Sequence, residues 1–427
     1  MDLETMEFRG FQIPIAISFT YSSYNKIKTI FKIIDSSLFQ SIKELDIKLD
    51  ETLATPNIDI DNLEQEIEKS IDNGYIIDKA VNQLFIDFYT ELSLLKRKDW
   101  IIFTHNLGSF DGYFIYKTLF EVPDIDIDNI ETIVDNRNKF ITINAEILNI
   151  NLVWKDSIRI FPVSLNELCK VFKVDGKFME YNKDFNNLNL FKNNDLLNQF
   201  QKYAEQDSIC LFEALMKAQT IYIKKYDIDI TTILSTSTLS MKIFRTKFLD
   251  TNIPTLSLNQ DRIIRESYFG GATDYYKLYG ENLYYYDVNS LYPYAMCNDI
   301  PLKFEKTTDS GNLNDVFGFL EVNVYCPNTV KTPFLPVKFN NQTIYPHGKW
   351  SGTYFSEELK QAVKFGYEFE VIKIHHFSKA QIFSDKITIS MNNFKTLVNN
   401  EYIAANINII SDSNYKIWSK KNSNKAN

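Results

Sequence analysis

Cysteine is scarce: four in 427 residues, at 169, 210, 297 and 326, with no CxxC pair among them. A disulfide framework or a cysteine zinc knuckle needs closely paired thiols, so both are excluded and a reducing compartment is indicated. Long apolar runs are also lacking. None approaches the roughly 20 residues needed to cross a bilayer, and no charged start followed by an apolar stretch suggests secretion. Positive charge is short as well, 46 Lys plus Arg against 55 Asp plus Glu for a net charge of -9, which excludes nonspecific coating of nucleic acid by the whole surface but not a local basic channel. Only seven of the basic residues are Arg. The chain is instead rich in Asn, Ile, Lys, Phe and Tyr, residues with AT-rich codons, which points to an AT-biased genome such as an organelle, plasmid or virus. What is present, 50.0 kDa with 44% hydrophobic residues, suffices for a large core and two or three domains.

The patterning is mixed α/β. Asp2-Leu3-Glu4, a polar turn at Arg9-Gly10 and Ile13 to Phe19 predict two strands. Residues 41 to 73 are mixed and acidic, and Val81 to Leu95 has helical spacing. Trp100 to Phe103 predicts a short strand that turns at His105-Asn106-Leu107-Gly108 into a helix carrying Phe110, Asp111, Phe114 and Ile115. Short strands alternate with turns from Ile130 to Val174, with a capped helix at Ser164 to Val171. An Asn-rich loop covers 182 to 194, and Leu196 to Lys225 carries the 3.6-residue repeat of a long helix. Met241 to Phe248 is a basic helical stretch, Tyr284 to Val288 an aromatic strand ending near an acid, and 316 to 377 is strand-like with one helix at Ser356 to Phe365. The tail from Lys373 holds eight Lys against three acids.

Two constellations carry chemistry. Asp2 and Glu4 lie two apart on a strand and share one face of it. Hard divalent cations take such oxygen ligands, and two cations about 3.5 to 4 Å apart can clamp the attacking and leaving oxygens of a phosphodiester. Asp111 and Asp207 offer two further carboxylates, with Tyr203 one helical turn before Asp207 and able to orient a water. Singly, each feature is ordinary surface decoration. The second constellation is the run Asp287 to Pro293, where an acid is followed by amides that can reach a triphosphate and by a tyrosine; magnesium between phosphates needs such an acid. A hydrophobic strand closed by a proline turn is the competing reading. Tyr268-Phe269-Gly270-Gly271 offers an aromatic face and two unobstructed amides to a single strand, or simply a β-turn.

At these residues the sequence resembles the protein-primed family B DNA polymerases of linear mitochondrial plasmids and some bacteriophages. The family's three exonuclease motifs resemble Asp2-Leu3-Glu4-Thr5, His105 to Asp111, and Tyr203-Ala204-Glu205-Gln206-Asp207. Its linking motif resembles Tyr268 to Gly271, and its first palm motif Asp287 to Pro293. The implied fold is a ribonuclease H-like 3′-5′ exonuclease domain over 1–225, a linker and the start of a polymerase palm over 226–299, an insertion over 300–390 that includes Lys349-Trp350 and Gly366-Tyr367, and a basic Asn-rich tail over 391–427.

The resemblance implies that Asp2, Glu4, Asp111 and Asp207 ligate two Mg2+ or Mn2+ ions of a proofreading site and that Tyr203 orients the water. It further implies that Thr5, His105, Asn106, Phe110, Ser157 and Phe161 hold the single-stranded 3′ end. Lys177, with Lys173 as competitor, assists at the scissile phosphate. Tyr268, Gly270 and Gly271 bind nucleic acid. Asp287 binds catalytic magnesium, and Ser290, Leu291 and Tyr292 meet the incoming nucleotide. The implied partners are DNA, as a single-stranded end and as primer-template, and a terminal priming protein that meets the insertion. No membrane is among them, and the implied location is the mitochondrion.

The departures shape the functional expectation. No KxxxNSxYG fingers helix follows residue 390, where Met391 to Asn400 is at best a remnant, and no DTD-like motif supplies a second palm carboxylate. The chain therefore reads as the front of a polymerase, unable to add nucleotides unless the missing half, and with it dNTP binding, is supplied. A stand-alone 3′-5′ exonuclease and a non-catalytic DNA-binding remnant are the alternatives, and a carboxylate cage of this kind would also serve on RNA.

Overall fold

The computed structural model describes residues 1–8, 10–35, 60–123, 125–176, 180–272, 278–284, 286, 291–340 and 342–382. They form two compact units, the first running from Met1 through Lys247 and the second beginning at Phe248.

The first unit opens on an antiparallel meander, β1 (Asp2–Phe8), β2 (Phe11–Ser23) and β3 (Lys26–Ile33). In β2, Ile13 to Thr20 is buried without a break, because helices cover both faces. The alternation of side-chain size decides which helix lies where. Ile17 and Phe19 are large, and Phe19 meets Phe88 of α1 (Ile60–Leu94) edge to face at 5.6 Å. Ala16, Ser18 and Thr20 are small and admit α5 (Asn194–Tyr226): Ser18 Oγ donates to Ala204 O at 2.7 Å and Thr20 Oγ1 bonds Ser208 Oγ at 2.7 Å. Asp2 pairs with Ser18 and Glu4 with Ala16. Cross-strand partners share a face, so both carboxylates are turned towards α5. Between Glu4 and Thr5 the register slips, with Thr5 opposite Pro14. Pro14 has no N–H to give the ladder, and the resulting bulge lets both Leu3 and Met6, three apart, reach the interior.

A second sheet has the order β4-β7-β6-β5, with β4 (Asp99–Thr104) parallel to β7 (Ile150–Asp156) and β6 (Phe140–Ile147) antiparallel to both β7 and β5 (Glu131–Val134). The ammonium of Met1 donates to Phe103 O at 2.9 Å and so ties the start of β1 to β4. Helix α2 (Asp111–Leu119) follows β4 through a short 3₁₀ turn at Leu107–Ser109. A one-turn helix α3 (Ser157–Ile160) leaves β7, and α4 (Leu165–Phe172) starts at Ser164 with a full capping box to Glu167. The first unit runs past residue 225 because α6 (Thr236–Lys247) packs back on it, Thr236 Oγ1 donating to the carbonyls of Arg159 and Ile160 at 3.0 and 2.9 Å.

The second unit contains α7 (Leu258–Glu266), α8 (Leu291–Met296) and an antiparallel sheet of order β12-β9-β13-β8. Its strands are β8 (Ile300–Thr308), β9 (Gly318–Cys326), β12 (Gly348–Phe355) and β13 (Glu368–Ala380), beside a small hairpin β10 (Val337–Phe339) and β11 (Gln342–Ile344). Leu320, Val322 and Val324 alternate inward along β9, onto Leu359 and Ala362 of α9 (Ser356–Lys364) and Tyr354. Tyr284 and Tyr286 of the expected aromatic strand are not in a strand and are exposed. Tyr285, Val288 and the tail from Phe383 lie outside the described residues.

Candidate active site

Three elements bring carboxylates together. Asp2 and Glu4 come from β1 and Asp207 from α5, and one oxygen of each lies within 4.8 Å of the others. Asp207 reaches this point because Ala204 and Ser208, on either side of it, are the residues bonded to β2. Asp111, first residue of α2 and buried, adjoins Asp2. Its carboxyl is pushed up to about 8, chiefly by burial and then by the negative charge of Asp2, with the Met1 ammonium opposing. A group of like-charged oxygens with no His or Cys among them is costly alone and suits a hard divalent cation. These residues fit the expected metal by donor type and by convergence.

An aromatic wall adjoins the group. Tyr203, one turn before Asp207, meets Phe185 at 5.7 Å and Tyr181 at 6.0 Å, the latter edge to face. Tyr181 is half-exposed, and burial followed by the charge of Glu4 raises its phenol above the ordinary value. Tyr181 thus stands between Glu4 and Tyr203, a place no spacing rule marks. It is held there by the Asn-rich loop, which is a run of side-chain caps: Asn182, Asn187 and Asn193 accept from the amides of Asp184, Asn189 and Asp195, each at 3.0 Å. Asn186 Oδ1 accepts from Glu7 N at 2.7 Å and fixes the loop to β1.

The third side is the turn His105 to Phe110. Its organiser is Asp156 at the end of β7, buried, whose carboxylate accepts from Asn106 N and Gly108 N at 3.0 Å and from Ile158 N at 3.1 Å. Asn106 takes a left-handed conformation with φ 89°. A Cβ on Gly108 would stand 2.6 Å from Phe140 O, so the turn and β6 approach as only glycine allows. Phe110 is half-buried and meets Phe114 edge to face at 5.3 Å.

His105 Nε2 bonds Val163 O at 2.8 Å and Nδ1 bonds Ser157 Oγ at 2.9 Å. A carbonyl only accepts, so Nε2 carries the proton, and burial holds the imidazole below its ordinary value. Ser157 and Phe161 are fully enclosed, Ser157 bonded to His105 and to Thr104 O, Phe161 against Phe172 at 5.6 Å. They brace the turn from inside and present no surface to a strand. Thr5, on the bulge, donates to Gln12 Oε1 at 2.8 Å. Lys173 caps the C-terminus of α4, and Lys177 lies outside the described residues.

In the second unit the structure joins two of the expected segments. The Tyr292 hydroxyl lies 2.6 Å from where a Gly271 Cβ would be, so Gly271 and the first turn of α8 are in contact. Nothing within 4 Å would meet a Cβ on Gly270. Tyr268, Leu291 and Tyr292 are exposed, while Asp287 and Ser290 lie outside the described residues. Trp350 Nε1 donates to the Tyr354 hydroxyl at 2.8 Å, the Lys349 ammonium lies 5.7 Å over the Tyr325 ring, and the Tyr367 hydroxyl accepts from Phe334 N at 2.8 Å. Among the described residues no helix is long and apolar enough to cross a membrane.

A profile of the family described as DNA polymerase type B, organellar and viral, matches residues 175–400. A probable DNA polymerase of Neurospora intermedia is 31% identical over 78% of this chain and 40% of its own length, and one of Podospora anserina is 29% identical over 71% and 31%. The chain therefore spans less than half the length of these relatives. The solved phi29 DNA polymerase, complexed with primer-template DNA and incoming nucleotide substrates, shares the fold with a TM-score of 0.52 at 17% identity, over 91% of this chain and 62% of that one.

Proposed function

Because this chain belongs to the organellar and viral type B DNA polymerase family, we propose that its first unit is a metal-dependent 3′-5′ exonuclease on single-stranded DNA, the proofreading part of a protein-primed polymerase. The observation that carries the reading is the convergence of Asp2, Glu4 and Asp207, with Asp111 beside Asp2. Divalent metal dependence is general to DNA polymerases of this kind. Here Asp2, Glu4, Asp111 and Asp207 would hold Mg2+ or Mn2+, two ions per site, which when bound supply an activated water and neutralise the departing phosphate.

The remaining work falls to the chain's own groups. The Tyr203 hydroxyl, one turn from Asp207, orients the attacking water. Phe110, on its edge-to-face contact with Phe114, offers a face to the terminal base, and Asn106, fixed by the Asp156 carboxylate, offers its amide side chain to the terminal sugar. Ser157 and His105 act by holding that turn in place, and Tyr181 closes the side next to Glu4.

In the second unit, Tyr268, Gly270 and Gly271 would guide the strand, and Asp287, Ser290, Leu291 and Tyr292 would form the front of the nucleotide site of a longer polymerase. The sheet over 300–380 would face the priming protein and template. Replication of a mitochondrial linear element is the matching biological setting.

The test is a 5′-labelled single-stranded DNA incubated with purified protein and Mg2+ or Mn2+, beside Asp2→Ala/Glu4→Ala and beside an RNA of the same sequence. Stepwise shortening of the DNA from its 3′ end, lost in the double variant, is the expected result. No shortening by the folded parent protein removes the reading.

A further inference from the structure

The tight turn between β5 and β6 carries a cation that the site described above leaves unused. Asp135 organises this turn. Its carboxylate accepts from Arg137 N at 2.9 Å and Lys139 N at 3.0 Å and pairs with Arg159 at 2.7 Å, and these bonds, the Lys139 amide first, hold its carboxyl down at about 2. The only carboxylate of the turn is therefore engaged. Lys139 is half-buried, and its ammonium donates to Ser109 Oγ at 2.8 Å and makes no ion pair among the described residues.

Ser109 is the residue before Phe110 and two before Asp111. Lys139 is thus fixed to the turn that carries the aromatic face and the fourth carboxylate. Its anchor is neutral, so its full charge remains. The Lys139 backbone is placed as firmly, since its Cβ lies 3.4 Å from where a Gly108 Cβ would be. Arg137, two residues away in the same turn, is exposed. An acidic floor that takes cations and a rim that keeps a cation unpaired suit a polyanion whose end enters the floor while its backbone crosses the rim.

We infer that Lys139 is a positioning residue that grips a phosphodiester of the single strand upstream of its 3′ terminus; the inference rests on the exonuclease reading and deepens it. Each such contact releases condensed counterion and steepens the dependence of log affinity on log salt by about 0.7, equivalent to about fivefold in affinity at 0.1 M salt.

The experiment measures binding of a fluorescent 12-nucleotide oligothymidylate in Ca2+ from 0.05 to 0.4 M salt, for the parent protein and for Lys139→Ala, Lys139→Arg and Ser109→Ala. Lys224→Ala, at the far end of α5, is the control. The expected result is about fivefold weaker binding by Lys139→Ala at 0.1 M salt and a slope shallower by about 0.7. Lys139→Arg and Ser109→Ala, which keep the charge, keep the slope. A Lys139→Ala slope equal to the parent's overturns the inference, as does an equal loss in Lys224→Ala. Cleavage is scored separately in Mg2+. A parent that binds with the Lys139-dependent slope but never shortens DNA sinks the exonuclease reading alone, and a parent that cleaves with unaltered slopes sinks Lys139 alone. A parent that does not bind sinks both.

Discussion

The Ser18 hydroxyl donates a hydrogen bond to the carbonyl of Ala204 at 2.7 Å, and this bond joins the strand opposite Asp2 to the helix that carries Asp207. The separation of the carboxylates is therefore set by how closely α5 lies on β2, and by the small side chains that permit it.

Enlarging that contact should separate the ligands. Ala16→Leu, at a fully buried position paired with Glu4, is expected to cost about 1 to 3 kcal/mol. Mg2+-dependent cleavage should fall with it. Ile17→Val, on the other face of the same strand, should cost about 1 kcal/mol and keep its metal requirement. Urea melts and cleavage rates of the two variants decide this. Equal metal response in both would contradict the geometry.

Asp111 predicts how stability varies with pH. Its folded carboxyl titrates at about 8, against about 3.9 in an unfolded chain. The folded state therefore holds the proton more tightly, and the stabilisation is complete below the unfolded value and lost as pH rises through the folded one. In EDTA, Tm should fall between pH 4 and 9, saturating Mg2+ should flatten that slope, and Asp111→Asn should remove it while lowering cleavage about a hundredfold or more. A pH slope unchanged in Asp111→Asn would refute the assignment.

Gly108→Ala places a methyl 2.6 Å from a backbone oxygen of Phe140, which cannot swing aside. A loss of about 1 to 3 kcal/mol is expected, with a raised KM for single-stranded DNA because Phe110 moves with the turn. An unaltered urea midpoint would show that β6 yields more easily than its register suggests.

Asp156→Ala withdraws the acceptor of three amides at once. Bonds to a charged acceptor contribute about 1.5 to 3 kcal/mol each, though not additively. We expect about 3 kcal/mol lost overall by the same scale, with Asp156→Asn intermediate. Amide exchange at Asn106 and Gly108 should accelerate most, and exchange spread evenly over the unit would argue against a local role.

Much of the site was readable in residue order. Asp2 and Glu4 share a face because a strand repeats every two residues, and Tyr203 and Asp207 because a helix returns after four. The size alternation Ala16, Ser18, Thr20 against Ile17, Phe19 was equally open, and it fixes which helix meets which face. Tyr181 was not, since a loop written in asparagine has no period, and its position follows from caps that bond two residues ahead. The role of Asp156 could not be read from residue order either, since its three amide partners lie 50, 48 and 2 residues away in sequence. Helix α1 begins at Ile60, well before the periodic stretch at Val81; Ile60, Leu63, Ile67 and Ile71 already recur there at helical spacing, among the acids that made the stretch read as mixed. Ser157 and Phe161 show the limit of motif transfer, for a matching residue type says nothing of which way the side chain is turned.

Two adjacent turns of α5 do more than carry Asp207. Beside Asp207, the Cys210 thiol donates a hydrogen bond to Asp175 O at 3.0 Å and Gln206 Nε2 donates to Gly176 O at 3.4 Å, while Tyr203 holds Tyr181 by its ring. Asp175 and Gly176 on one side and Tyr181 on the other are therefore both moored to the same two adjacent turns of α5. The entropy of placing Tyr181 is then met when the protein folds, and on the exonuclease proposal an arriving strand would find that ring already in position.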